Sequence, residues 1–254
     1  MFLTFKKWSA VYALSLLALL LIFTAILRQG SALQVSAPAE EAGREVVFII
    51  DPGHGGEDGG AVAADGTVES AVNLAVALKM EEAAKLLGLD STMTRREDVS
   101  IHDAGASTLR QKKVSDLKNR VALCNGTEGG VLISIHQNSL PQSPRVSGAQ
   151  VFYNGQTGSE ELARAIQDAL NDVVNTGAPK SPKAIGSGVY LMANTDCPAV
   201  LVECGFLSNP EETQLLKDPG YQKKLAVVIL SAAAEHLMGG GQENAGQNRT
   251  NVVY

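Results

Sequence analysis

The sequence of 254 residues holds little cysteine and no excess of basic charge. Its three cysteines, Cys124, Cys197 and Cys204, include no C-x-x-C pair, so neither a small disulfide scaffold nor a cysteine zinc site is indicated. Because the count is odd, at least one thiol has no intramolecular disulfide partner. The net charge is −6, and no stripe of lysine and arginine offsets it, which argues against a nucleic-acid partner.

The N-terminus contains a long uncharged segment. Two lysines precede the 20 residues Trp8–Leu27, and Arg28 ends the run. A helix of that length spans roughly 30 Å, the thickness of a bilayer core. We therefore predict that residues 1–28 form a transmembrane anchor, or a signal segment that is cleaved near Val35–Ala37. More positive charge precedes the run than follows it, which places the rest of the chain outside the membrane.

The remaining sequence predicts one α/β domain over residues 45–238, between a small, polar linker at 29–44 and a flexible tail at 239–254. Strand and helix signals alternate along it, which is typical of a mostly parallel or mixed sheet covered by helices on both faces. Strands are expected at 46–50, 89–94, 131–135, 149–153 and 199–202, helices at 68–87, 114–124, 159–174 and 221–237, and a loop, or a loop with a short turn, at 99–113.

Three apolar strand runs each lead into a polar residue with useful chemistry. VVFII leads to His54, VLISI leads directly to His136, and AVLV leads directly to Glu203. In open α/β sheets, ligands bind beyond the carboxyl ends of the strands. If the three strands are parallel neighbours, these three side chains meet at one edge of the sheet.

The glycine-rich stretch around His54 allows more than one interpretation. A phosphate-binding loop also follows a strand, but no G-x-G-x-x-G or Gly-Lys-Ser/Thr pattern is present, and Glu57 and Asp58 place negative charge where phosphates would lie. A lone histidine here would be a solvated loop residue. The second histidine after a strand, His136, favours a metal ligand instead, because a buried imidazole without a partner is costly.

Two imidazoles and one carboxylate, completed by water, are the usual ligands of catalytic zinc. Glu69 lies at the start of the helix that follows the His54 loop, and it is the candidate carboxylate. Its alternative role is that of an acidic residue that complements the helix dipole. His102, in a polar loop, and His236, near the end of the last helix, are weaker candidates, which we expect to be a surface residue and a structural residue.

A carboxylate directly after a buried strand is costly unless it is paired or functional, which singles out Glu203. It is either a general acid and base beside the metal or one half of a salt bridge. Successive side chains of a strand face opposite ways, so Cys204 should be a small core residue that points away from the site.

Four ordered motifs, DPGHGG, GTVESAVNL, SIHQNS and PAVLVECGFLSNP, resemble those of the zinc-dependent N-acetylmuramoyl-L-alanine amidases of the amidase-3 type, over about residues 46–237. The resemblance implies a twisted, mostly parallel sheet of about six strands, with residues 45–238 as the catalytic domain. It implies that His54, Glu69 and His136 bind Zn²⁺ and that Glu203 is the catalytic acid and base. The substrate would be the peptidoglycan amide between the muramyl lactyl group and L-alanine of the stem peptide.

Further expectations follow from the positions of two asparagines and from a finer resemblance. Asn73 and Asn138 lie close to ligands in the chain and are candidates for orienting them. The predicted anchor, the stretch at 101–121 and the segment SGAQVFYN are similar to sporulation amidases of the family. That similarity implies action on spore cortex peptidoglycan, where muramic δ-lactam forms and germination later depends on it, with a lipoprotein activator as a further partner. The enzyme would be anchored on the extracytoplasmic face of the membrane, or secreted to the cell wall or the forespore intermembrane space.

Two other functions remain open at this point. A zinc peptidase acting on cell-wall peptides would use the same ligands and differ in the bond it cleaves. A non-catalytic wall-binding module would have lost Glu203 or a ligand, whereas all four residues are present.

Overall fold

A six-stranded sheet organises the domain in a computed structural model that describes residues 46–239. The strands are β1 (Val47–Pro52), β2 (Ser91–Met93), β3 (Gly130–Asn138), β4 (Gln150–Tyr153), β5 (Lys183–Ala184) and β6 (Ala199–Phe206). The helices are α1 (Glu69–Leu87), α2 (Leu109–Gly126), α3 (Ser159–Val173), α4 (Tyr190–Asn194), α5 (Pro210–Lys217) and α6 (Pro219–Gly239). The predicted anchor, the linker and nearly all of the tail lie outside the described residues.

The strand order is β2-β1-β3-β6-β4-β5, and the prediction of a mostly parallel sheet is confirmed. β1 pairs in parallel with β2 and β3, and β3 pairs in parallel with β6. β4 runs antiparallel to β6, and the two-residue strand β5 is parallel to β4. The carboxyl ends of β1, β3 and β6 therefore lie side by side in the middle of the sheet.

Two hydrophobic clusters cover the two faces of the sheet, because the apolar strand residues alternate between them. The larger cluster joins residues such as Ile50 and Ile133 to α1, α3 and α6. The smaller one joins Ile49, Leu132 and Leu201 to α2 and α4. The side chains of His136 and Glu203 lie on the same face of the sheet as the smaller cluster. The predicted helices on both faces are thus confirmed.

Several elements differ from those expected from the sequence. α2 begins at Leu109, not at 114, because Thr108 and Gln111 form a capping box: the Thr108 side chain accepts from the Gln111 amide, and the Gln111 side chain accepts from the Thr108 amide. The short elements β5, α4 and α5 were not predicted. α5 begins after Asn209, whose side chain accepts two helix amides, with Pro210 at the first turn.

Within residues 46–239, no helix is both long enough and apolar enough to cross a membrane. The segment for which a membrane span was predicted, Trp8–Leu27, is not among these residues.

Candidate metal centre

His54 is placed by a loop that leaves the sheet directly after β1. It has a φ of 62°, and it is the only non-glycine residue among residues 46–239 with a positive φ. Its Nδ1 lies 3.2 Å from Oδ1 of Asp58, and its Nε2 lies 3.3 Å from Oε1 of Glu69. The carboxylate of Asp58 thus orients the ring so that Nε2 faces the other candidate ligands.

Glu69 is the first residue of α1, and its side chain is buried. One oxygen, Oε2, accepts a hydrogen bond from the Ala61 amide at 2.8 Å. The other, Oε1, accepts from the Gln137 amide at 3.2 Å and lies 3.0 Å from Nδ1 of His136. The carboxylate is therefore fixed by one backbone amide from the loop before α1 and one from β3, with Oε1 between the two imidazoles.

The structure brings His54, Glu69 and His136 together as the sequence predicted. One ligand atom from each lies within 4.8 Å of the others. The two rings meet edge to face, with centroids 5.0 Å apart and planes at 75°. His136 lies inside β3, two residues before its end, so the strand extends further than expected.

Two glycines make this convergence possible. A Cβ on Gly53 would lie 2.2 Å from Cε1 and Nε2 of His136. A Cβ on Gly60, which has a φ of +71°, would lie 2.4 Å from Oε2 of Glu69. Glycine is needed at these two positions because the side chains of His136 and Glu69 lie against the backbone there.

Glu203 stands beside the three residues in the sheet, where its Cα is the register partner of His136. Among residues 46–239 it forms no ion pair, and its Oε2 is buried without a hydrogen-bond partner. Burial raises the pKa of Glu203 to about 7; the charge of Glu69 adds to the rise, and the two histidines oppose it. Cys204, its neighbour in β6, is fully buried in the larger cluster on the opposite face, as predicted.

The ligand candidates carry opposite pKa shifts. Burial by itself would raise the pKa of Glu69, but hydrogen bonds from His136 and His54 lower it well below its usual range. Burial would lower the pKa of His54, but Glu69 and Asp58 raise it above its usual value. The group is thus a coupled cluster in which protons and a cation compete for the same atoms.

The two asparagines predicted to orient ligands differ in their contacts. Nδ2 of Asn73 lies 3.3 Å from Oε1 of Glu69 and donates to the Gly53 carbonyl at 3.1 Å. The Asn138 side chain accepts from the Ser139 amide at 2.8 Å and makes no hydrogen bond to His54, Glu69 or His136.

Four charged residues near the loop were not identified from the sequence as parts of the site. Asp58 orients His54, as described above. Asp51, Arg95 and Arg120 are buried beneath the loop, with 1%, 3% and 2% of their surfaces exposed. The signal for Asp51 was its position directly after the apolar strand run; the arginines carry no local signal, because charged residues in polar segments usually face solvent.

A cavity of about 260 Å³ opens beside the candidate ligands on the face of the smaller cluster. Its walls include His54, His136 and Arg120, together with Tyr190 and Leu191 of α4. The other histidines lie outside it: Nδ1 of His102 contacts the Ser100 hydroxyl at 2.9 Å, and His236 is in the last turn of α6.

The donor set fits a zinc ion, since two imidazole nitrogens and one carboxylate oxygen converge and Glu203 stands beside them, with an Oε2 that has no hydrogen-bond partner among residues 46–239. A parallel α/β sheet with such a group at its carboxyl edge has the arrangement of a metal-dependent hydrolase. The family model for N-acetylmuramoyl-L-alanine amidase, Amidase_3, matches residues 48–235. The chain belongs to this family and is an N-acetylmuramoyl-L-alanine amidase.

Individual relatives agree with this assignment. The chain is 40% identical over 184 residues to a germination-specific N-acetylmuramoyl-L-alanine amidase of Bacillus subtilis, covering 72% of this chain and 76% of that one. The structure of the CwlD amidase from Clostridioides difficile, solved in complex with the GerS lipoprotein, superposes with a TM-score of 0.72 at 36% identity, over 76% of this chain and 99% of that one. The catalytic domain of CwlV from Bacillus (Paenibacillus) polymyxa gives a TM-score of 0.64 at 30% identity, over 76% of this chain and 98% of that one.

Proposed function

We propose that the chain is a zinc-dependent amidase that cleaves the bond between the muramyl lactyl group and L-alanine of peptidoglycan stem peptides during spore cortex maturation. The observation that carries the proposal is the convergence of His54, Glu69 and His136 at one sheet edge, with Glu203 in register beside His136.

In this proposal Nε2 of His54, Oε1 of Glu69 and Nδ1 of His136, the atoms that face one another, would hold the ion. When bound, zinc supplies Lewis acidity, which polarises a carbonyl group and makes water a stronger acid. Asp58 accepts from the other nitrogen of His54 and thereby fixes which nitrogen is free to bind. The backbone amides of Ala61 and Gln137 hold the Glu69 carboxylate in place.

We assign the proton transfers to Glu203. Its carboxylate takes a proton from water as the water oxygen bonds to the amide carbon, and it returns that proton to the alanine nitrogen as the carbon–nitrogen bond breaks. The products are a lactyl carboxylate and a stem peptide with a free amino group. A pKa of about 7 suits this double role, because the group can hold or release a proton near neutral pH.

The cellular role is proposed from the relatives. The Bacillus subtilis relative is named as germination-specific, and the Clostridioides difficile structure contains a lipoprotein. We propose a corresponding role in the spore cortex, with a lipoprotein as an activating partner. We further propose that residues 1–28 anchor the chain or direct its export, that residues 29–44 form a linker, and that the catalytic domain at 45–238 acts on the extracytoplasmic side, with residues 239–254 as a tail.

Mass spectrometry of peptidoglycan fragments tests the reaction. Purified sacculi are incubated with the zinc-loaded full-length protein, and new amino groups are labelled and identified. We expect stem peptides that begin with L-alanine, together with glycan strands whose muramic acid residues carry free lactyl carboxylates. New amino groups on any other residue would indicate a peptidase, and intact sacculi would indicate a wall-binding module.

The variant Glu203→Gln is the matched control for the proton transfers. It keeps the size of the side chain but cannot accept a proton. General acid–base catalysis typically contributes 10²–10⁴-fold, so turnover should fall by about that factor while zinc content stays at one ion per chain. Loss of zinc in this variant would instead identify Glu203 as a ligand.

A further inference from the structure

We propose that Arg120 is a positioning residue for the metal centre, and that it acts by holding the backbone carbonyl groups on both sides of Gly53. The proposal rests on the proposed role of His54 as a ligand. It assigns a task to a buried arginine of α2 that lies beneath the His54 loop and outside the set of candidate ligands.

The His54 loop needs an external constraint. Residues 53–60 include five glycines, which by themselves favour many backbone conformations. His54 nevertheless has a φ of 62°, a region that residues with a Cβ populate sparsely and that persists only where the surroundings fix it. The conformation matters, because it directs Nε2 toward Glu69 and Nδ1 toward Asp58.

Arg120 supplies that constraint through the two terminal nitrogens of its guanidinium group. Nη1 donates to the Pro52 carbonyl at 3.0 Å, and Nη2 donates to the His54 carbonyl at 2.7 Å. The two carbonyls flank Gly53, the residue over which the His136 ring lies. One rigid, planar group therefore fixes both ends of the segment that carries the first ligand and contacts the second.

A second buried guanidinium completes the arrangement. Nε of Arg95 donates to the Pro52 carbonyl at 2.9 Å, and its Nη2 donates to the Gly53 carbonyl at 3.0 Å. All three carbonyls from residue 52 to residue 54 are thus bound by arginine. Since Arg95 reaches the loop from the segment after β2 and Arg120 from α2, the loop is held from two directions.

The orientation of Arg120 is fixed in turn by two carboxylates. Nη1 lies 2.5 Å from Oδ1 of Asp51, and Nε donates to Oδ2 of Asp116 at 2.7 Å. Asp51 also accepts from the hydroxyls of Thr94 and Ser134, both at 2.6 Å. Burial by itself would lower the pKa of Arg120, but the two carboxylates raise it above its usual value, so the group stays charged.

A purely structural role for Arg120 makes a different prediction. If the residue only neutralised Asp51, a lysine could replace it, because lysine also carries a positive charge. If Arg120 acts by donating from Nη1 and Nη2 to two carbonyl groups at once, lysine cannot replace it. A single ammonium group cannot donate to both carbonyls in fixed geometry. Comparing lysine with an uncharged residue therefore separates the two roles.

The experiment uses the full-length protein in detergent with Arg120→Lys, Arg120→Met and the control Leu170→Ala. Leu170 is fully buried in the cluster on the opposite face of the sheet, so its replacement lowers stability without contacting the loop. Three quantities are measured: zinc affinity by competition with a chromogenic chelator, the absorption spectrum of the Co²⁺-substituted protein, and hydrogen exchange of residues 53–60 in the metal-free protein.

We expect both Arg120 variants to bind zinc about 10–100-fold more weakly, the effect typical of groups that orient metal ligands. Their Co²⁺ spectra should change, and their loop amides should exchange faster, whereas Leu170→Ala should keep wild-type affinity and loop exchange. Wild-type affinity and exchange in Arg120→Lys would overturn the proposal, and so would equal losses in Leu170→Ala.

Two further measurements cover the cases in which the Arg120 variants do not fold or the wild type binds no zinc. If neither Arg120 variant folds, Arg95→Lys takes their place, since it removes the other guanidinium group and leaves the Asp51–Arg120 pair intact; unchanged affinity and exchange in it would overturn the proposal. If the wild type binds no zinc, the proposed metal function fails, and loop exchange in the metal-free protein still decides whether Arg120 holds the loop.

Discussion

At the level of single residues, the buried position of the Glu203 carboxylate makes the stability of the domain depend on pH. Its folded-state pKa of about 7 exceeds the ordinary value of 4.5 because the carboxylate is buried. The folded protein therefore retains a proton that the unfolded chain releases between these values. It follows that the contribution of Glu203 to the free energy of unfolding is most favourable below pH 4.5. This contribution declines as the pH rises toward 7 and is constant above that.

The variant Glu203→Gln removes this dependence. In the metal-free protein, we expect it to unfold at nearly the same denaturant concentration as the wild type at pH 4.5, and to be more stable by up to about 3 kcal/mol at pH 7.5. Urea titrations at both pH values measure the difference. A constant gap between the two proteins across this range would show that the burial of Glu203 does not shift its pKa.

Gly53 provides a second prediction at this scale. In Gly53→Ala the new Cβ would lie 2.2 Å from the His136 ring, so the ring must leave the position in which its Nδ1 lies 3.0 Å from Glu69. Overpacking of this kind typically lowers the free energy of unfolding by about 1–3 kcal/mol. We expect the zinc affinity to fall by a larger fraction than the free energy of unfolding does. Gly155→Ala is the control, because no atom lies within 4 Å of its added Cβ. Equal zinc affinity in both variants would contradict the observed packing.

The sequence revealed the candidate donors because histidines and acids that follow apolar strands are unusual, and because four motifs occur in order. It did not reveal the residues that hold those donors. Arg120 belongs to a helix with only three buried residues, and its buried partners are Asp116 one turn earlier and Asp51 in β1. Such a network depends on how α2 meets β1, which local patterns do not encode.

At the scale of elements, the Thr108 cap defines where α2 begins. The reciprocal bonds between Thr108 and Gln111 satisfy amides at the helix start. We expect Thr108→Ala to cost about 1 kcal/mol and to leave zinc binding unchanged, because Arg120 lies three turns further along. Thr157→Ala, in an exposed turn, is the control. A Thr108→Ala protein as stable as this control would show that the cap contributes nothing.

The same helix shows why boundaries are harder to predict than elements. The apolar strands β1, β3 and β6 were located by composition, since strands buried on both faces read as continuous apolar runs. The start of α2 is polar, and its composition predicts a loop, although T-x-x-Q at 108–111 indicates a helix start. N-P-E-E at 209–212 was a similar signal for α5. The two-residue strand β5 has no sequence signature, because it forms only where β4 offers an open edge.

At the scale of the whole molecule, the predicted export of the domain can be tested in cells. The uncharged run at 8–27 follows two lysines, so we expect the domain outside the cytoplasmic membrane. Protease added to intact protoplasts should degrade the full-length protein and spare a version that lacks residues 1–28. A protected full-length protein would contradict the predicted orientation, and a mature chain that begins near Pro38 would identify a cleaved signal.

Zinc should also stabilise the domain as a whole, because the three proposed ligands come from the β1 loop, α1 and β3. A ligand that binds only the folded state at 1,000 times its dissociation constant stabilises that state by about 4 kcal/mol. For a domain of this size, each kcal/mol raises the melting temperature by roughly 2–4 °C. We therefore expect an increase of about 8–16 °C when zinc replaces chelator, measured by scanning calorimetry.

His136→Ala should lose most of this increase, because it removes one donor. A wild type that melts at the same temperature with and without zinc would contradict a metal site at His54, Glu69 and His136.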